Sequence, residues 1–399
     1  MRFPQKSIVL LALLSLFAAR AAWGEKNPGE TEEEAIGRQY DLEIAATMGF
    51  VKDEKLQEYV ARVGRRVLAK VSQPEYDFSF KVVDDEMVNA FALPGGYVYI
   101  TRGMLAALGD EAELAGVLGH EIGHVTGHHS MKQMQKNIAQ ALIAIGGLML
   151  SPEIRNNAGA WLTVTQTLGL QIISGYGREF EMESDQEGLI LTYSAGYDPA
   201  AVVSFLRTMQ GIERLGFLTY HGFMATHPDT VARIVGAETK SQLLAARSQA
   251  VAGQRYKDRY LDNISGLRYG KPRWKGKTLP PYQIVIHTVK AGETLKSIAG
   301  DVARDMGKAF EIAAINGMDL NAKLTPGTRV KVIAPAPEID VSTDKEERKY
   351  EIGVRIGDGK GGQGNGGSGA ADGGSKGADS PTAEYRGGQE GGNKNNDGR

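Results

Sequence analysis

The chain of 399 residues contains no cysteine. This absence excludes disulfide bonds, thiolate zinc sites, cysteine nucleophiles and lipid attachment at an N-terminal cysteine. Any metal site must therefore be built from His, Asp or Glu. An excess of basic charge is missing too, because 46 Lys and Arg face 48 Asp and Glu, for a formal net charge of −2. This balance argues against a nucleic-acid-binding protein that depends on bulk positive charge.

The first 24 residues have the pattern of a Sec signal peptide. Arg2 and Lys6 precede the apolar stretch Ile8–Ala19, and Ala22-Trp23-Gly24 offers small residues for cleavage. The stretch is about 12 residues long, short of the roughly 20 that span a bilayer, so cleavage is favoured over a retained anchor. The sequence thus predicts a periplasmic protein of a bacterial envelope, soluble or peripheral to the outer membrane or peptidoglycan.

Composition divides the rest of the chain into a main domain, a linker, a small domain and a tail. Residues 25–254 are predicted to form the main domain, 255–281 a linker rich in basic residues, Pro and Gly, and 282–335 a small βααβ domain. Residues 336–399 are too poor in apolar residues to fold. The uncharged run Ile138–Ser151 predicts a buried helix, with a segment that touches lipid or gates substrate as the alternative.

The motif His120-Glu121-Ile122-Gly123-His124 is typical of a zinc site on a helix. Positions four apart share one helix face, so both imidazoles can bind a single ion. Glu121 lies one position along, near enough to activate a zinc-bound water as a general base. The motif predicts a metallopeptidase with one Zn²⁺ per chain, in which His120 and His124 are ligands and Glu121 is catalytic.

A third protein ligand is needed, because catalytic zinc keeps water in its fourth position. The pattern with a third His at position 130 is not met, since that residue is Ser130. His128 would lie about 12 Å along the helix axis from His120, which is too far. Glu181 and Asp185 lie four apart on a later predicted helix, so Glu181 can bind zinc while Asp185 accepts the spare N–H of a ligand His. A solvated acidic helix is the alternative interpretation.

Four stretches of the chain occur in an order typical of one enzyme family. They are Asn89-Ala90-Phe91-Ala92-Leu93-Pro94-Gly95-Gly96, Thr101-Arg102-Gly103-Met104, His120 to His124 with Val125 and His129-Ser130, and Arg178-Glu179-Phe180-Glu181 with Ser184-Asp185. Over about residues 30–235 they resemble the zinc metallopeptidases that include HtpX and the CAAX prenyl proteases, and most closely the soluble periplasmic branch with BepA and LoiP. The resemblance implies that Glu181 is the third ligand and Asp185 the acid behind it. Ser184 departs from the family, which usually has Ala there.

The resemblance to this family also assigns a role to a later histidine. Thr226-His227-Pro228 is similar to a Thr-His-Pro stretch of the periplasmic branch, in which the His can approach the zinc. This similarity implies that His227 is a regulatory fourth ligand or an oxyanion stabiliser. A structural His at a turn is the alternative, because Pro228 can start a helix.

The segment around Gly95, Gly96 and Tyr97 is predicted to form an edge strand beside the zinc helix. An extended substrate could pair with such an edge, and glycines let another backbone approach closely. A plain hairpin turn is the alternative.

The small domain resembles a LysM domain. The matching stretches are His287 to Leu295, Ile312, Ile315-Asn316-Gly317 and Leu324 to Val330. The resemblance implies binding to the N-acetylglucosamine backbone of glycans, which in a bacterial envelope means peptidoglycan. Aromatic residues for sugar stacking are few, Phe310 being one, so a spacer role that involves protein contacts alone stays open.

The predicted fold is therefore α+β: a mainly helical, zincin-type metallopeptidase domain with a small sheet, a small βααβ LysM-like domain and a disordered tail. The predicted function is a zinc endopeptidase for quality control of misfolded or unassembled envelope proteins. Its partners would be polypeptide substrates, with peptidoglycan and the outer-membrane assembly machinery as further partners implied by resemblance. The alternatives are an autoinhibited chaperone or scaffold and, less favoured, a hydrolase of peptidoglycan peptides.

Overall fold

A computed structural model of the chain describes residues 27, 29–137, 176–214, 223, 226–227, 230–247, 253–270 and 280–337. The predicted signal peptide, the run 138–151 and the predicted tail beyond residue 337 lie outside these residues. Within them the chain is mainly helical with two small sheets, so the prediction of an α+β fold is confirmed. None of the helices in the described ranges is both long and apolar enough to cross a bilayer.

The part of the described chain up to residue 247 contains helices around one three-stranded sheet. The helices are α1 (Glu32–Thr47), α2 (Glu54–Leu68), α3 (Arg102–Ala107), α4 (Glu111–Thr126), α5 (Arg178–Ser194), α6 (Ala200–Arg214) and α7 (Thr230–Arg247). The strands are β1 (Ser79–Val83), β2 (Ala90–Leu93) and β3 (Tyr97–Thr101). Helix α4 carries the zinc motif, and α5 carries the predicted third ligand.

Helix α4 is buried along nearly its whole length, from Glu111 to Val125. A helix without a polar face belongs in a core. Its N-cap is Asp110, whose carboxylate accepts a hydrogen bond from the Glu113 backbone N–H at 3.0 Å. The two buried acids of its first turn are paired with cations, Glu111 with Arg259 and Glu113 with Arg255. The start of the zinc helix is thus fixed by residues that follow the main domain in sequence.

Strand β3 is the central strand of its sheet, because it pairs in parallel with β1 and antiparallel with β2. The prediction that Gly95, Gly96 and Tyr97 form an edge strand is therefore wrong: Tyr97 begins the central strand and the glycines form the turn before it. Both glycines have positive φ, and a Cβ on Gly95 would come within 2.6 Å of Glu34 Cα in α1. The edge strand that packs against α4 is β2.

Helices α4 and α5 pack closely because small residues face each other. A Cβ on Gly119 would come within 2.9 Å of the Gly188 carbonyl oxygen, and one on Gly188 within 2.6 Å of the α4 backbone. One turn further along, a Cβ on Gly123 would lie 3.1 Å from Ser184 Cα. Only small side chains fit at these crossings. The close contact brings Glu181, one turn before Ser184, to the imidazoles of the zinc motif.

Replacing Gly188 by Ala is expected to lower the free energy of unfolding by about 1–3 kcal/mol, because the added methyl group collides with the backbone of α4. Gly236→Ala is the matched control. Gly236 is an exposed glycine of α7 whose Cβ would meet nothing within 4 Å, so this change should stabilise by up to about 1 kcal/mol. Urea unfolding measures both, and similar midpoints for the two variants would contradict the tight helix contact.

The C-terminal part of the described chain forms a second three-stranded sheet with short helices. Its elements are α8 (Lys257–Ile264), β4 (Arg268–Tyr269), β5 (Tyr282–Thr288), α9 (Leu295–Asp301), α10 (Ala309–Ile315) and β6 (Arg329–Pro335). Strand β5 pairs antiparallel with both β4 and β6. The order β5–α9–α10–β6 is the βααβ arrangement expected from the sequence, while its identity as a LysM domain stays a prediction.

The structure differs from the predicted linker over residues 255–270. This range contains α8 and β4, and Tyr260, Leu261 and Ile264 are buried in the same hydrophobic core as the main domain. The Tyr260 hydroxyl donates to the carbonyl oxygen of Leu105. The basic and Pro/Gly-rich composition indicated a linker, but these three apolar residues recur at helical spacing and give α8 a face to bury.

Strand β6 is tied to the main domain through the buried side chain of Lys331. The side-chain nitrogen donates to the carbonyl oxygens of Ala106, Ala107 and Leu108, at 2.7, 3.2 and 2.5 Å. These carbonyls end helix α3, where a helix leaves its last oxygens without partners of its own. Because Asp110 caps α4 two residues later, the C-terminal strand supports the approach to the zinc helix.

Candidate metal centre

The two histidines of the zinc motif converge on one point. His120 and His124 lie one turn apart on α4, and their Nε2 atoms are 3.0 Å apart. Both side chains are buried, with exposed fractions of 5% and 1%. Helix geometry alone produces this arrangement, since residues four apart share a face.

Helix α5 adds a carboxylate to the two histidines. The Glu181 oxygens lie 3.5 Å from His120 Nε2 and 3.4 Å from His124 Nε2. Burial alone would raise the pKa of Glu181, but His227, His124 and His120 together lower it, so the carboxylate is ionised. The structure therefore brings the sequence-predicted third ligand to the same point as the first two.

His227 lies at this point as well. Its Nδ1 is 3.0 Å from Glu181 Oε1 and 3.3 Å from His120 Nε2, and its Nε2 is 3.7 Å from Glu121 Oε1. Burial lowers the pKa of His227, but the carboxylates of Glu181 and Glu121 more than offset this and raise it. The imidazole is thus one of the groups that surround the centre, and its role there stays a prediction.

The donor atoms of this group fit one metal ion. One atom from each of four residues lies within 4.8 Å of the others, and all four residues are buried: His120, His124, Glu181 and His227. Zinc takes nitrogen and oxygen ligands at about 2.0–2.2 Å, which places tetrahedral donors about 3.3 Å apart. The observed separations of 3.0–3.5 Å among Nε2, Nδ1 and carboxylate oxygens match that spacing. The zinc prediction is therefore supported by the donor set itself.

Asp185 lies behind His120, where it can orient the ring. Its Oδ1 is 2.9 Å from His120 Nδ1, so a proton on Nδ1 would leave Nε2 free to bind an ion. Arg233 holds Asp185 from the other side through two hydrogen bonds of 2.7 and 2.8 Å. Burial raises the pKa of Asp185, but Arg233 and His120 more than reverse that effect and lower it. Asp185 is thus an ionised carboxylate next to the Nδ1 atom of His120, and its role behind a zinc ligand stays a prediction.

Glu121 points its carboxyl group into a fully buried site. Its side chain has no exposed surface, and neither carboxyl oxygen has a hydrogen-bond partner within the described residues. Burial raises the pKa of Glu121, although His227 and His120 counteract it. A buried carboxyl group with free oxygens and a raised pKa has the properties of a proton-transfer group.

The other histidines of the motif region take separate positions. His128 faces away from the centre, where Nδ1 lies 3.0 Å from Glu33 and Nε2 3.2 Å from Glu75. His129 is buried against the far side of His124, with 3.0 Å between the two Nδ1 atoms. Tyr176 stacks on the His124 ring at 3.9 Å between centroids, and its hydroxyl pairs with Ser130.

Sequence reasoning missed Arg233 as part of the site. It is 2% exposed, and besides Asp185 it contacts Glu181 Oε2 at 3.0 Å and donates to the His227 carbonyl oxygen at 3.0 Å. One guanidinium group therefore links Glu181 and Asp185 to the segment that carries His227. Its position six residues after His227, at the start of a predicted helix, was the available signal, but an Arg there is equally typical of a solvated surface.

Residues 54–240 match the family model described as "Peptidase family M48". The chain is 28% identical over 214 residues to the beta-barrel assembly-enhancing protease of Yersinia pestis, which covers 53% of this chain and 44% of the relative. It is 31% identical over 180 residues to mitochondrial metalloendopeptidase OMA1 of Schizosaccharomyces pombe. This match covers 44% of the present chain and 50% of the relative. The corresponding Escherichia coli K12 beta-barrel assembly-enhancing protease is 25% identical over 214 residues, covering 53% and 44%. The chain thus spans half or less of the length of these relatives.

Proposed function

We propose that the chain is a zinc-dependent endopeptidase of peptidase family M48, whose model residues 54–240 match, and that it acts on misfolded or unassembled envelope proteins. The observation that carries the proposal is the buried group of His120, His124 and Glu181 next to Glu121. Three metal ligands and a carboxyl group that can move a proton are the components of metal-assisted hydrolysis.

The zinc ion and the protein side chains would have separate roles in the reaction. A zinc ion held by the two His and Glu181 would supply Lewis-acid chemistry, polarising the scissile carbonyl and lowering the pKa of water. Glu121 would accept a proton from the attacking water and return it to the leaving amine. Its free oxygens suit the first step, and its raised pKa suits the second, since a more basic carboxylate holds the proton until the amine takes it. Asp185 would keep His120 in the ligand tautomer.

An extended substrate would pair with strand β2. This strand lies at the edge of the sheet and packs against α4. It is only four residues long, from Ala90 to Leu93. Pairing through the main chain reads little of the substrate sequence, so this mode supports a broad choice of unfolded polypeptides.

An autoinhibited chaperone or scaffold is the second candidate, and the position of His227 favours it. With His227 as fourth protein ligand, a tetrahedral zinc ion has no position left for water or substrate. The chain would then need His227 to leave the centre before hydrolysis. Under the first candidate the same residue would swing aside and stabilise the oxyanion. A peptidoglycan peptide hydrolase guided by the LysM-like domain is a third, less favoured function.

The proposed place of action is the periplasm, next to the outer membrane or peptidoglycan. The signal-peptide pattern of residues 1–24 supports this location. The names of the beta-barrel assembly-enhancing proteases support the outer-membrane assembly machinery as a partner. Peptidoglycan would bind through the βααβ domain, for which the sequence resemblance to LysM is the support.

Casein cleavage by the secreted protein, with zinc determined on the same sample, tests the proposal. We expect one zinc per chain, cleavage that stops when 1,10-phenanthroline removes the ion, and recovery when zinc is restored. His227→Ala should raise the rate if His227 restrains the resting enzyme. Zinc-loaded wild type and His227→Ala that both leave casein intact would favour the scaffold, and cleavage of purified sacculi alone would favour the peptidoglycan hydrolase. Absence of zinc from metal-replete protein would contradict the ligand set itself.

A further inference from the structure

The two motif histidines have different groups behind them. The outer nitrogen of His120 faces the carboxylate of Asp185 at 2.9 Å. The outer nitrogen of His124, Nδ1, faces another imidazole, the Nδ1 of His129, at 3.0 Å. His129 has no exposed surface and takes no part in the proposed ligand set. The structure therefore gives His129 a contact that the proposed mechanism leaves unexplained.

We propose that His129 is a positioning residue that fixes the orientation and tautomer of the zinc ligand His124, an inference that rests on the proposed zinc site. The Nε2 of His124 faces the centre, so a neutral ring must carry its proton on Nδ1. That N–H donates to His129, whose Nδ1 accepts through its lone pair. The proton of His129 then lies on Nε2, which is 3.4 Å from the Glu183 carboxylate.

A second polar group contacts His129 Nδ1 in a way that is compatible with its role as an acceptor. The Ser184 hydroxyl lies 3.1 Å from the same nitrogen. Ser184 is the residue at which this chain departs from the usual Ala of the family it resembles. A hydroxyl group can donate or accept, so Ser184 can donate to Nδ1 when this nitrogen accepts the N–H of His124. The chain thus adds a hydroxyl group to the acceptor that orients its zinc ligand.

The ring of His129 is held in place by its surroundings. It stacks on Phe180, with centroids 4.6 Å apart and planes at 21°. It also covers Gly127, where a Cβ would come within 2.3 Å of the ring. A side chain locked on two sides can transmit a fixed orientation to the ligand it touches, which is how groups behind metal ligands tune affinity.

Zinc affinity, measured by competition with a chromophoric chelator, tests the inference. His129→Phe keeps the stacking but removes the acceptor, and we expect it to weaken zinc binding by about 10–100-fold. Asn places its amide oxygen near the position of Nδ1, whereas Gln places it near Nε2. His129→Asn should therefore recover most of the affinity and His129→Gln should not. His128→Ala is the control, because His128 contacts Glu33 and Glu75 away from the centre.

The experiment distinguishes a failure of the proposed role of His129 from a failure of the proposed zinc site. Circular dichroism and thermal unfolding of the metal-free variants establish that each one folds, and if His129→Phe does not, the comparison of Asn with Gln decides. Zinc binding by the wild type together with equal affinities for His129→Asn and His129→Gln would overturn the role of His129 alone. Wild type that binds no zinc would overturn the proposed function and this inference with it.

Discussion

Replacing Glu121 by Gln should reduce peptide hydrolysis by about 10²–10⁴-fold while the protein keeps its zinc. The substitution preserves the volume of the side chain but removes its ability to accept a proton. Glu121 is fully buried, and its two oxygens have no hydrogen-bond partner in the described part of the chain, so no hydrogen bond is lost with the charge. The charge contact that is lost is the one with His227 Nε2, 3.7 Å from Oε1. The measurements are kcat/KM on an unfolded protein substrate and the zinc content of the same sample.

Glu179→Gln is the matched control for this substitution. Glu179 is an exposed residue of α5 that pairs with Lys136 at 3.0 Å, so its replacement should change kcat/KM little. Residual activity of Glu121→Gln above about one tenth of wild type would argue against Glu121 as the base. Loss of zinc together with activity would instead assign Glu121 a part in holding the ion.

Replacing Arg233 by Met should lower the free energy of unfolding of the metal-free protein by about 3–5 kcal/mol. Arg233 is the buried cation between two ionised carboxylates, bonded twice to Asp185 and once to Glu181. Removing it leaves both negative charges buried and facing each other across one helix turn. Zinc would neutralise part of this charge, so the loss should be smaller in the loaded protein. Urea unfolding with and without zinc measures both values.

Lowering the pH should reduce the difference in the free energy of unfolding between Arg233→Met and wild type. Arg233 helps to hold the pKa of Asp185 below its unfolded value of about 3.9. A depressed carboxyl pKa contributes stability above the unfolded pKa, and this contribution is lost as the pH falls through the folded pKa. Arg207→Met is the control: Arg207 is mostly exposed and pairs with Glu238, so it should cost less than about 1 kcal/mol. Equal losses of unfolding free energy for Arg233→Met and Arg207→Met at pH 7 would contradict the assignment of Arg233 as a buried cation that stabilises two carboxylates.

The part of the site that could be predicted from sequence is the part that helix geometry fixes locally. His120, Glu121 and His124 lie within five residues, and one turn of helix brings the two imidazoles together. Glu181 lies 57 residues beyond His124, and its spacing alone left a solvated helix as an equal alternative. The glycines that let α5 approach α4 bring Glu181 to the two imidazoles, and their effect appears only when the two helices are packed.

The remaining differences between the sequence-based predictions and the structure concern contacts between segments that are distant in the chain. The hairpin pattern around Gly95 and Gly96 was visible, but the parallel pairing of β1 with β3 depends on residues almost 20 positions earlier in the chain. The contacts of Arg233 with α5 and of His129 with His124 depend on packing that neither residue's place in the sequence reveals. The predicted linker contains α8 because burial, rather than composition, determines whether a short amphipathic segment folds.

The bonds from Lys331 to the end of α3 constrain the order in which the chain can mature. They join residues 223 to 225 positions apart, so the surroundings of the zinc helix are complete only after β6 has been synthesised. Contacts at such separation form late, because closing a long loop is entropically costly. A growing chain would therefore hold the zinc motif on a helix whose approach is still unsupported. Completion of this support requires the last strand, so a late folding step falls at the approach to the zinc helix.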